Sequence, residues 1–194
     1  MEMEKEITVL VKTSYENLKK ELEQNNFEIK EEYQVNDIYL IDKNVDILNT
    51  NSLDILKKSI LVRDVVGIEK ELLYKYKKYD NIGNILEQGK VSCPVLDINK
   101  ALEFMKSINY IELFKIYDKC TVFANDKSEL TVQQVNNNYI FIEMETKSEY
   151  LNKEYENISE LIANICSYNI SIDKTNFFVK KAEIILNEKV RNNT

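Results

Sequence analysis

The stretch that decides the fold is EMEKEITVLVK, residues 2–12, close to the start of the chain. If these residues form a β-strand, successive side chains point to opposite faces of the sheet. One face then carries Glu2, Glu4, Glu6 and Thr8, and the other carries Lys5, Ile7, Val9 and Val11. Such a strand packs its apolar face against a core. The carboxylates on its other face either meet water or line a charged interior, and this strand alone does not decide between the two.

The rest of the chain predicts an antiparallel sheet with helices around it. Alternation predicts strands over 4–12, 58–66, 69–78, 89–94, 110–118, 119–124, 128–135 and 139–146, with two short extended pieces in 27–42. Helical spacing of apolar residues predicts helices over about 14–25, 98–108, 148–168 and 175–189, and residues 43–57 read as a long loop. We expect Thr13 and Asp97 to cap the first two helices.

Several of these strands repeat the polar face of the first. Glu143 and Glu145 share a face in 139–146, and Lys75 and Lys77 share one in 69–77. Arg63 and Lys115 lie on two other strands, and both are assigned to the same charged face. Alternation by itself is typical of any half-buried sheet, so a solvated outer face remains an alternative to an enclosed one.

Composition excludes several classes of function. The chain has no histidine, which rules out Ser-His-Asp and Cys-His catalysis and a histidine-bound zinc ion. Any metal must be held by carboxylates, which favours Mg²⁺ or Mn²⁺. The net charge of −7 argues against nonspecific binding to nucleic acid or to an anionic membrane.

Targeting signals and cysteine usage predict a cytoplasmic protein. The acidic start contains no apolar segment of a signal peptide. Cys93, Cys120 and Cys166 are far apart and match no CxxC pattern, so we interpret them as reduced core thiols. The sequence leaves open whether the protein is a monomer or a homodimer.

The ordered motifs resemble the CYTH domain family, also called the triphosphate tunnel family, which includes class IV adenylate cyclases and thiamine triphosphatases. The opening ExExK strand of the family is similar to EKEIT, where Glu4 and Glu6 match and Thr8 stands at the lysine. The acidic stretch after the first helix is similar to DIYLID, residues 37–42.

Further matches follow in the order of the family. The LRIR strand resembles ILVR, which keeps Arg63 and has Leu61 at the first arginine. The TYK strand resembles LYK with Lys75, and the K-x-R strand resembles KIY with Lys115 and Tyr117.

The last two strands of the family pattern also have matches in this sequence. Gln133 stands where the family has an acidic residue, and the closing ExE strand is matched by FIEME with Glu143 and Glu145. In all, the resemblance covers roughly residues 2–150.

The resemblance implies an α+β fold. Its core is a closed antiparallel eight-stranded β-barrel, a tunnel surrounded by helices. We expect one CYTH-like domain over residues 1–194, with a barrel core at about 2–150 and C-terminal helices at about 148–189 packing on it.

The resemblance also implies a triphosphate-type ligand held with Mg²⁺ or Mn²⁺. Carboxylates would hold the ion, cations would surround the phosphates, and positioning would supply most of the catalysis. The implied metal ligands are Glu4, Glu6, Glu143 and Glu145, of which Glu6, Glu143 and Glu145 are also the catalytic candidates. The implied phosphate-binding residues are Arg63, Lys75, Lys115 and, at a tunnel mouth, Lys77.

Four departures from the family pattern leave three hypotheses open. Thr8, Leu61 and Tyr117 each replace a cation, and Gln133 replaces a carboxylate. The first hypothesis is metal-dependent hydrolysis of a polyphosphate or organic triphosphate, which is favoured over cyclase activity. The second is a degenerate member that binds a phosphorylated or other anion without turnover. The third is a structural or protein-interaction domain.

Overall fold

Eight strands and five helices form along the chain, in a computed structural model that describes residues 5–79 and 85–192, with side chains described for 5–76 and 89–189. The strands are β1 (Glu6–Leu10), β2 (Glu28–Asp42), β3 (Ile60–Val65), β4 (Glu69–Tyr79), β5 (Ile85–Pro94), β6 (Tyr110–Ala124), β7 (Glu129–Val135) and β8 (Tyr139–Glu145). The helices are α1 (Tyr15–Gln24), α2 (Ser52–Lys57), α3 (Ile98–Ser107), α4 (Ile158–Cys166) and α5 (Lys181–Asn192).

All eight strands join one antiparallel sheet in the order β1-β8-β7-β6-β2-β3-β4-β5. The eight-stranded antiparallel sheet with surrounding helices confirms the coarse prediction. The predicted closure into a barrel is wrong, because no strand pairing joins β1 to β5 within the described ranges 5–79 and 85–192. The sheet is open, with β1 and β5 as its outer strands.

The outer side of β1 is paired with a segment from the C-terminal part of the chain. The backbone N–H of Thr8 donates to the carbonyl of Phe177, and the N–H of Val179 donates to the carbonyl of Thr8, both at 3.0 Å. These bonds occupy an edge that would otherwise expose unpaired donors and acceptors. Residues 177–179 thus take the position beside β1 that barrel closure would have given to a strand of the sheet.

Two strands are longer than the sequence suggested. The predicted pieces in 27–42 form the single strand β2, and 110–118 and 119–124 form the single strand β6. The register of β2 against β6 shifts between Ile29 and Glu31 and again between Tyr39 and Leu40. Such irregularities bend a strand and increase its twist, so long strands can curve around a cavity without ending.

Apolar side chains on the convex face pack beneath helices. Leu18 and Leu22 of α1 and Leu161 of α4 are fully buried against β1, together with Ile7 and Val9. Residues spaced four apart share one helix face, which explains why both leucines of α1 reach the sheet. A smaller cluster lies between α3 and the strands β2 and β3 and contains Leu40, Val62 and Met105.

Helix ends differ from the prediction where side chains bind the backbone. Asp97 caps α3 as expected, but the first helix is capped by Ser14 rather than Thr13. The predicted helix 148–168 is reduced to α4, because Glu129 holds the backbone N–H of Tyr150 at 2.8 Å and Asn157 caps the helix only there. The predicted helix 175–189 begins at Lys181, and α2 lies inside the expected loop.

Two further observations concern the surface and the thiols. No helix in residues 5–79 and 85–192 is long and apolar enough to cross a membrane. All three cysteines are free, but Cys93 is exposed and is therefore not a core thiol.

An ion pair joins β2 to β3 on the concave face. Arg63 donates from Nε and Nη2 to the two carboxylate oxygens of Asp37, each at 2.7 Å. Burial alone would raise the pKa of Asp37, but the hydrogen bonds and charge of Arg63 outweigh it and hold that pKa below the ordinary value of 3.8. Asp37 is 5% exposed and Arg63 is 19% exposed, so solvent screens this pair weakly.

Truncation of the convex core should destabilise the fold. We expect Leu18→Ala to lower the free energy of unfolding by about 2–5 kcal/mol, because it leaves a cavity beneath α1. Leu96 is 99% exposed, so Leu96→Ala is the matched control and should change it by less than about 0.5 kcal/mol. Urea denaturation of the three proteins measures both values. Equal stability of the two variants would contradict the assigned core.

Removal of the Asp37 charge should destabilise the protein in a pH-dependent way. We expect Asp37→Asn to lower the free energy of unfolding by about 3–5 kcal/mol near pH 7, because Arg63 is left buried without its partner. The pKa of Asp37 in the folded protein lies below its ordinary value of 3.8. The ion pair therefore stabilises the fold fully above pH 3.8, and this stabilisation is lost as the pH falls through the pKa of the folded state.

Urea denaturation as a function of pH measures the difference between Asp37→Asn and the unaltered protein. The difference in their free energies of unfolding should become smaller below pH 3.8. Glu103→Gln is the control, because Glu103 is 66% exposed in its pair with Lys100 and its loss should have no measurable effect. If the free energies of unfolding of Asp37→Asn and the unaltered protein differed by the same amount down to the lowest accessible pH, the stabilising ion pair between Asp37 and Arg63 would be contradicted.

Candidate functional site

The concave face of the sheet surrounds a polar cavity of about 450 Å³. All eight strands contribute lining side chains or backbone, and so does the first residue of α5. Its described lining includes carboxylates, lysines and Arg63, whereas two apolar clusters lie under helices on the convex face. A third apolar cluster, which includes Leu61 and Phe141, shares the concave side with the cavity. We call this cavity the charged cavity.

Three carboxylates meet on the wall formed by β1 and β8. Glu6 lies opposite Glu145 in the strand register, and Glu143 lies opposite Thr8. One oxygen from each of Glu6, Glu143 and Glu145 lies within 4.8 Å of the others. Like charges this close repel each other, and hard divalent cations prefer oxygen ligands. The donor set therefore fits Mg²⁺ or Mn²⁺.

A neutral amide neighbours this carboxylate cluster. Gln133 on β7 donates from Nε2 to Oε2 of Glu143 at 3.0 Å. An acidic residue at this position would add a further negative charge beside Glu143, whereas the amide fixes the orientation of the glutamate. Gln133 therefore acts as a hydrogen-bonding support for Glu143.

A lysine from outside the sheet enters the same cavity. Lys181, the first residue of α5, donates to Oδ2 of Asp118 at 2.5 Å and to Oε1 of Gln133 at 3.1 Å. Burial alone would lower the pKa of Lys181, but the charges of Asp118 and Glu143 raise it, so the ammonium stays protonated. Lys181 lies two residues after Val179, whose N–H bonds to β1, so that pairing helps to position the lysine.

Asp118 is the buried partner of Lys181. Asp118 is 3% exposed, and no described residue forms a hydrogen bond with its Oδ1. Burial raises the pKa of Asp118 despite the opposing charge of Lys181. Lys181 is thus held by a carboxylate that has a second oxygen unsatisfied, so the pair is compensated in charge but not in hydrogen bonding.

Sequence reasoning missed both members of this pair. Asp118 was missed because β6 was read with Lys115 and Tyr117 facing inward. A signal for Lys181 does exist in the sequence, because a positive charge in the first turn of a helix opposes the helix dipole and needs a local reason. In the structure that reason is Asp118.

The charged cavity carries more negative than positive groups. Among the lining residues whose side chains the structure describes, eight are carboxylates and five are cations. Arg63 is paired with Asp37, and Lys181 is paired with Asp118. A divalent cation would compensate part of this excess negative charge.

The structure brings most of the predicted residues together. Glu6, Glu143, Glu145, Arg63 and Lys75 all line the charged cavity. Their roles in binding and catalysis stay predictions.

Other predicted residues lie elsewhere. Lys115 is opposite Ile38, which packs in the convex cluster, and it forms a salt bridge with Glu112 at 3.3 Å, so its predicted inward position is wrong. Tyr117 shares that face and is 51% exposed. Glu4 and the side chain of Lys77 lie outside the described residues.

A second cavity of about 330 Å³ adjoins the first. The two share four lining residues, Glu6, Lys75, Glu143 and Lys181. Thr8 and Leu61, two of the four departures from the family pattern, line only this second cavity. We call it the second cavity below.

Solved structures share this architecture. A Pyrococcus horikoshii protein superposes with a TM-score of 0.62 at 16% identity, covering 95% of this chain and 99% of the other. A candidate adenylate cyclase from Vibrio parahaemolyticus gives a TM-score of 0.61 at 14% identity, covering 96% and 98%. A candidate adenylyl cyclase from Hippeastrum, described as having a dominant triphosphatase activity, gives a TM-score of 0.60 at 11% identity. The match covers 97% of this chain and 96% of the other.

Sequence comparisons add no closer relationship. No protein-family model matches the chain, and no curated protein matches it. The similarity therefore lies in the fold, with identities of 11–16% in these three structures. The comparisons therefore show the fold alone: this chain shares the architecture of these candidate adenylate cyclases, which is the fold that the resemblance to the CYTH family implied, with a sheet that does not close within the described residues.

Proposed function

We propose that this protein binds a triphosphate-type ligand together with Mg²⁺ or Mn²⁺ in the charged cavity and hydrolyses a phosphoanhydride bond. The observation that carries the proposal is the cluster of Glu6, Glu143 and Glu145, whose oxygens lie within 4.8 Å of one another. The cluster shares one cavity with Lys75 and Lys181, so carboxylates and cations can act on the same ligand.

The three glutamates would hold the divalent ion. When bound, the ion would neutralise phosphate oxygens and orient an attacking water. Gln133 keeps the Glu143 carboxylate turned into the cavity through its 3.0 Å hydrogen bond. Glu145 is the most exposed of the three, so it is the one best placed to accept a hydrogen bond from an entering water.

The cations of the cavity would bind the phosphate chain. Lys75 and Lys181 line both cavities, so they lie where a ligand crosses from one to the other. Arg63 uses Nε and Nη2 on Asp37, which fixes its guanidinium plane before any ligand arrives. A preorganised cation loses less entropy when a phosphate binds.

Binding of a phosphorylated or other anion without turnover is the second candidate. Two observations favour it: an aspartate neutralises each of Arg63 and Lys181, and an amide rather than a carboxylate contacts Glu143. These features weaken the attraction for phosphate and leave one acidic group fewer beside the metal ligands. Thermal stabilisation by an anion with no phosphate release would support this candidate.

Metal-dependent phosphate release tests the first candidate. We expect release of phosphate from tripolyphosphate, thiamine triphosphate or ATP in the presence of Mn²⁺ or Mg²⁺. Glu6→Gln and Glu143→Gln should each lower the rate by at least about 100-fold, because each removes a charged ligand of the ion.

Mn²⁺ titration of the same variants, followed calorimetrically, separates loss of the ion from loss of the reaction. Glu112→Gln is the matched control, because Glu112 pairs with Lys115 outside the cavity, and it should retain full activity. Full activity in both Glu6→Gln and Glu143→Gln would refute the metal assignment.

Lysine variants test the phosphate assignment. We expect Lys75→Gln to weaken tripolyphosphate binding by about 10- to 100-fold, since a charge-assisted hydrogen bond is lost. Lys115→Gln should not weaken it, because Lys115 faces away from the cavity.

Lys181→Gln should weaken binding as Lys75→Gln does, and Lys181→Arg should retain most of the affinity because it keeps the charge. Calorimetric titration with tripolyphosphate and Mn²⁺ measures all four variants. An effect of Lys115→Gln as large as that of Lys75→Gln would contradict the assigned binding face.

A further inference from the structure

The chain between β8 and α4 crosses one side of the charged cavity. Residues 147–150 line that cavity, together with Glu31 of β2 and Glu129 of β7. In the sheet, β7 and β6 separate β8 from β2. A contact from this segment to β2 therefore crosses three strand spacings, about 14 Å measured along the sheet. We call residues 147–151 the strap.

The base of the strap is fixed by hydrogen bonds that have little exposure to solvent. The carboxylate of Glu129 accepts hydrogen bonds from the hydroxyl of Ser148 and, at 2.8 Å, from the backbone N–H of Tyr150. Ser148 is 7% exposed, and its backbone N–H donates to the carbonyl of Lys153 at 2.9 Å. Breaking these bonds would leave buried polar groups unsatisfied, so the base stays attached to β7.

The tip of the strap is held in a different way. The hydroxyl of Tyr150 donates to Oε2 of Glu31 at 2.8 Å. Tyr150 is 43% exposed, so water can replace Glu31 as the acceptor of this bond. The hydrogen bond to the Glu31 carboxylate raises the pKa of the Tyr150 hydroxyl, which therefore remains a donor at neutral pH. The strap thus combines a firm base with a tip that is tied to β2 by an exchangeable hydrogen bond.

A thiol inside the cavity lies close to this end of it. Cys120 lines the charged cavity and is 3% exposed. It lies opposite Tyr33 in the register of β6 against β2, and Glu31 is two residues before Tyr33. Two residues of a strand cover about 7 Å and return to the same face, so Glu31 and Cys120 are near neighbours. A solute that approaches Cys120 from this end of the cavity therefore passes the strap.

We propose that the strap is a lid, closed in this structure, and that opening of the hydrogen bond between Tyr150 and Glu31 admits solutes to the charged cavity. The lid moves about its base at Glu129 while the sheet stays folded. Loop closure of this kind excludes water from a bound ligand and controls its entry and release. The proposal concerns access to the cavity, and it holds whether the ligand is a triphosphate, another anion or a metal ion.

Alkylation of Cys120 by N-ethylmaleimide measures access to the cavity without any assumption about the ligand. Burial raises the pKa of the Cys120 thiol to about 12, so the reaction is slow in the closed protein. Peptide mass spectrometry follows Cys120 and Cys93 in the same sample, and the exposed Cys93 is the internal reference. We expect alkylation of Cys120 to be about fivefold faster in Tyr150→Phe, which lacks the hydrogen bond at the tip, and alkylation of Cys93 to be unchanged.

Three further variants separate opening of the lid from other effects. Tyr117→Phe is the matched control, because Tyr117 is 51% exposed on the convex face, and it should change neither rate. Glu31→Ala removes the other partner of the same hydrogen bond and should accelerate alkylation of Cys120 to a similar extent. The double variant of Tyr150→Phe and Glu31→Ala should react no faster than either single variant, because both changes break one interaction.

Unchanged alkylation of Cys120 in either Tyr150→Phe or Glu31→Ala would overturn the inference. The lid would also be contradicted if the acceleration were matched by an equivalent fall in the free energy of unfolding, measured by urea denaturation, because unfolding of the sheet would then expose the thiol. Absence of phosphate release or of Mn²⁺ binding would count against the proposed function and leave the lid intact.

Discussion

Mutual repulsion among carboxylates on one concave face is the constraint on which the rest of this structure depends. Glu6 and Glu145 are directly opposite each other on neighbouring antiparallel strands, where like charges destabilise a sheet. Glu143 adds a third negative charge within 4.8 Å. The fold retains this arrangement because cations line the same cavity, and a divalent ion would remove much of the remaining repulsion. The stability of the sheet and the charge of the cavity therefore depend on the same side chains.

The C-terminal part of the chain contributes to this balance in two ways. Residues 177–179 pair with β1 and so fix the position of the strand that carries Glu6. Lys181 lies two residues after this segment and brings a positive charge to Asp118. An open sheet would otherwise leave the edge of β1 unpaired and the cavity more negative. The edge pairing and the ion pair thus support the site together, although the barrel predicted from the sequence does not close.

The sequence predicted the carboxylate wall because apolar and polar side chains alternate from Glu6 to Val9 in β1 and from Ile142 to Glu145 in β8. Ile7 and Val9 are fully buried on the convex side, so Glu6 has to face the cavity. The same reasoning failed for β6, where Leu113 and Phe114 are both buried beside a register irregularity. Period-2 alternation carries no information once a strand is apolar at adjacent positions. Lys115 was therefore assigned to the wrong face.

Closure of the sheet could not be read from the sequence for a different reason. Alternation specifies which face of a strand is buried, but it does not specify which segment pairs with an edge. The pairing of β1 with residues 177–179 joins parts of the chain about 170 residues apart, and neither segment carries a local signal for the other. The helix that follows was correctly placed near the C-terminus, yet its first residue was not recognised as part of the cavity.

The four departures from the family pattern do not describe one uniform loss of function. Tyr117 lies on the convex face and says nothing about the cavity, while Gln133 hydrogen-bonds a carboxylate of the three-glutamate cluster. Thr8 and Leu61 both line the second cavity, where Thr8 lies opposite Glu143 in the strand register and Leu61 is buried among apolar side chains. Lys181 meanwhile places a cation in the charged cavity from outside the sheet. The loss of cations at Thr8 and Leu61 is partly offset by a lysine that the family pattern does not predict, so the four departures do not amount to a uniform loss of positive charge from the concave face.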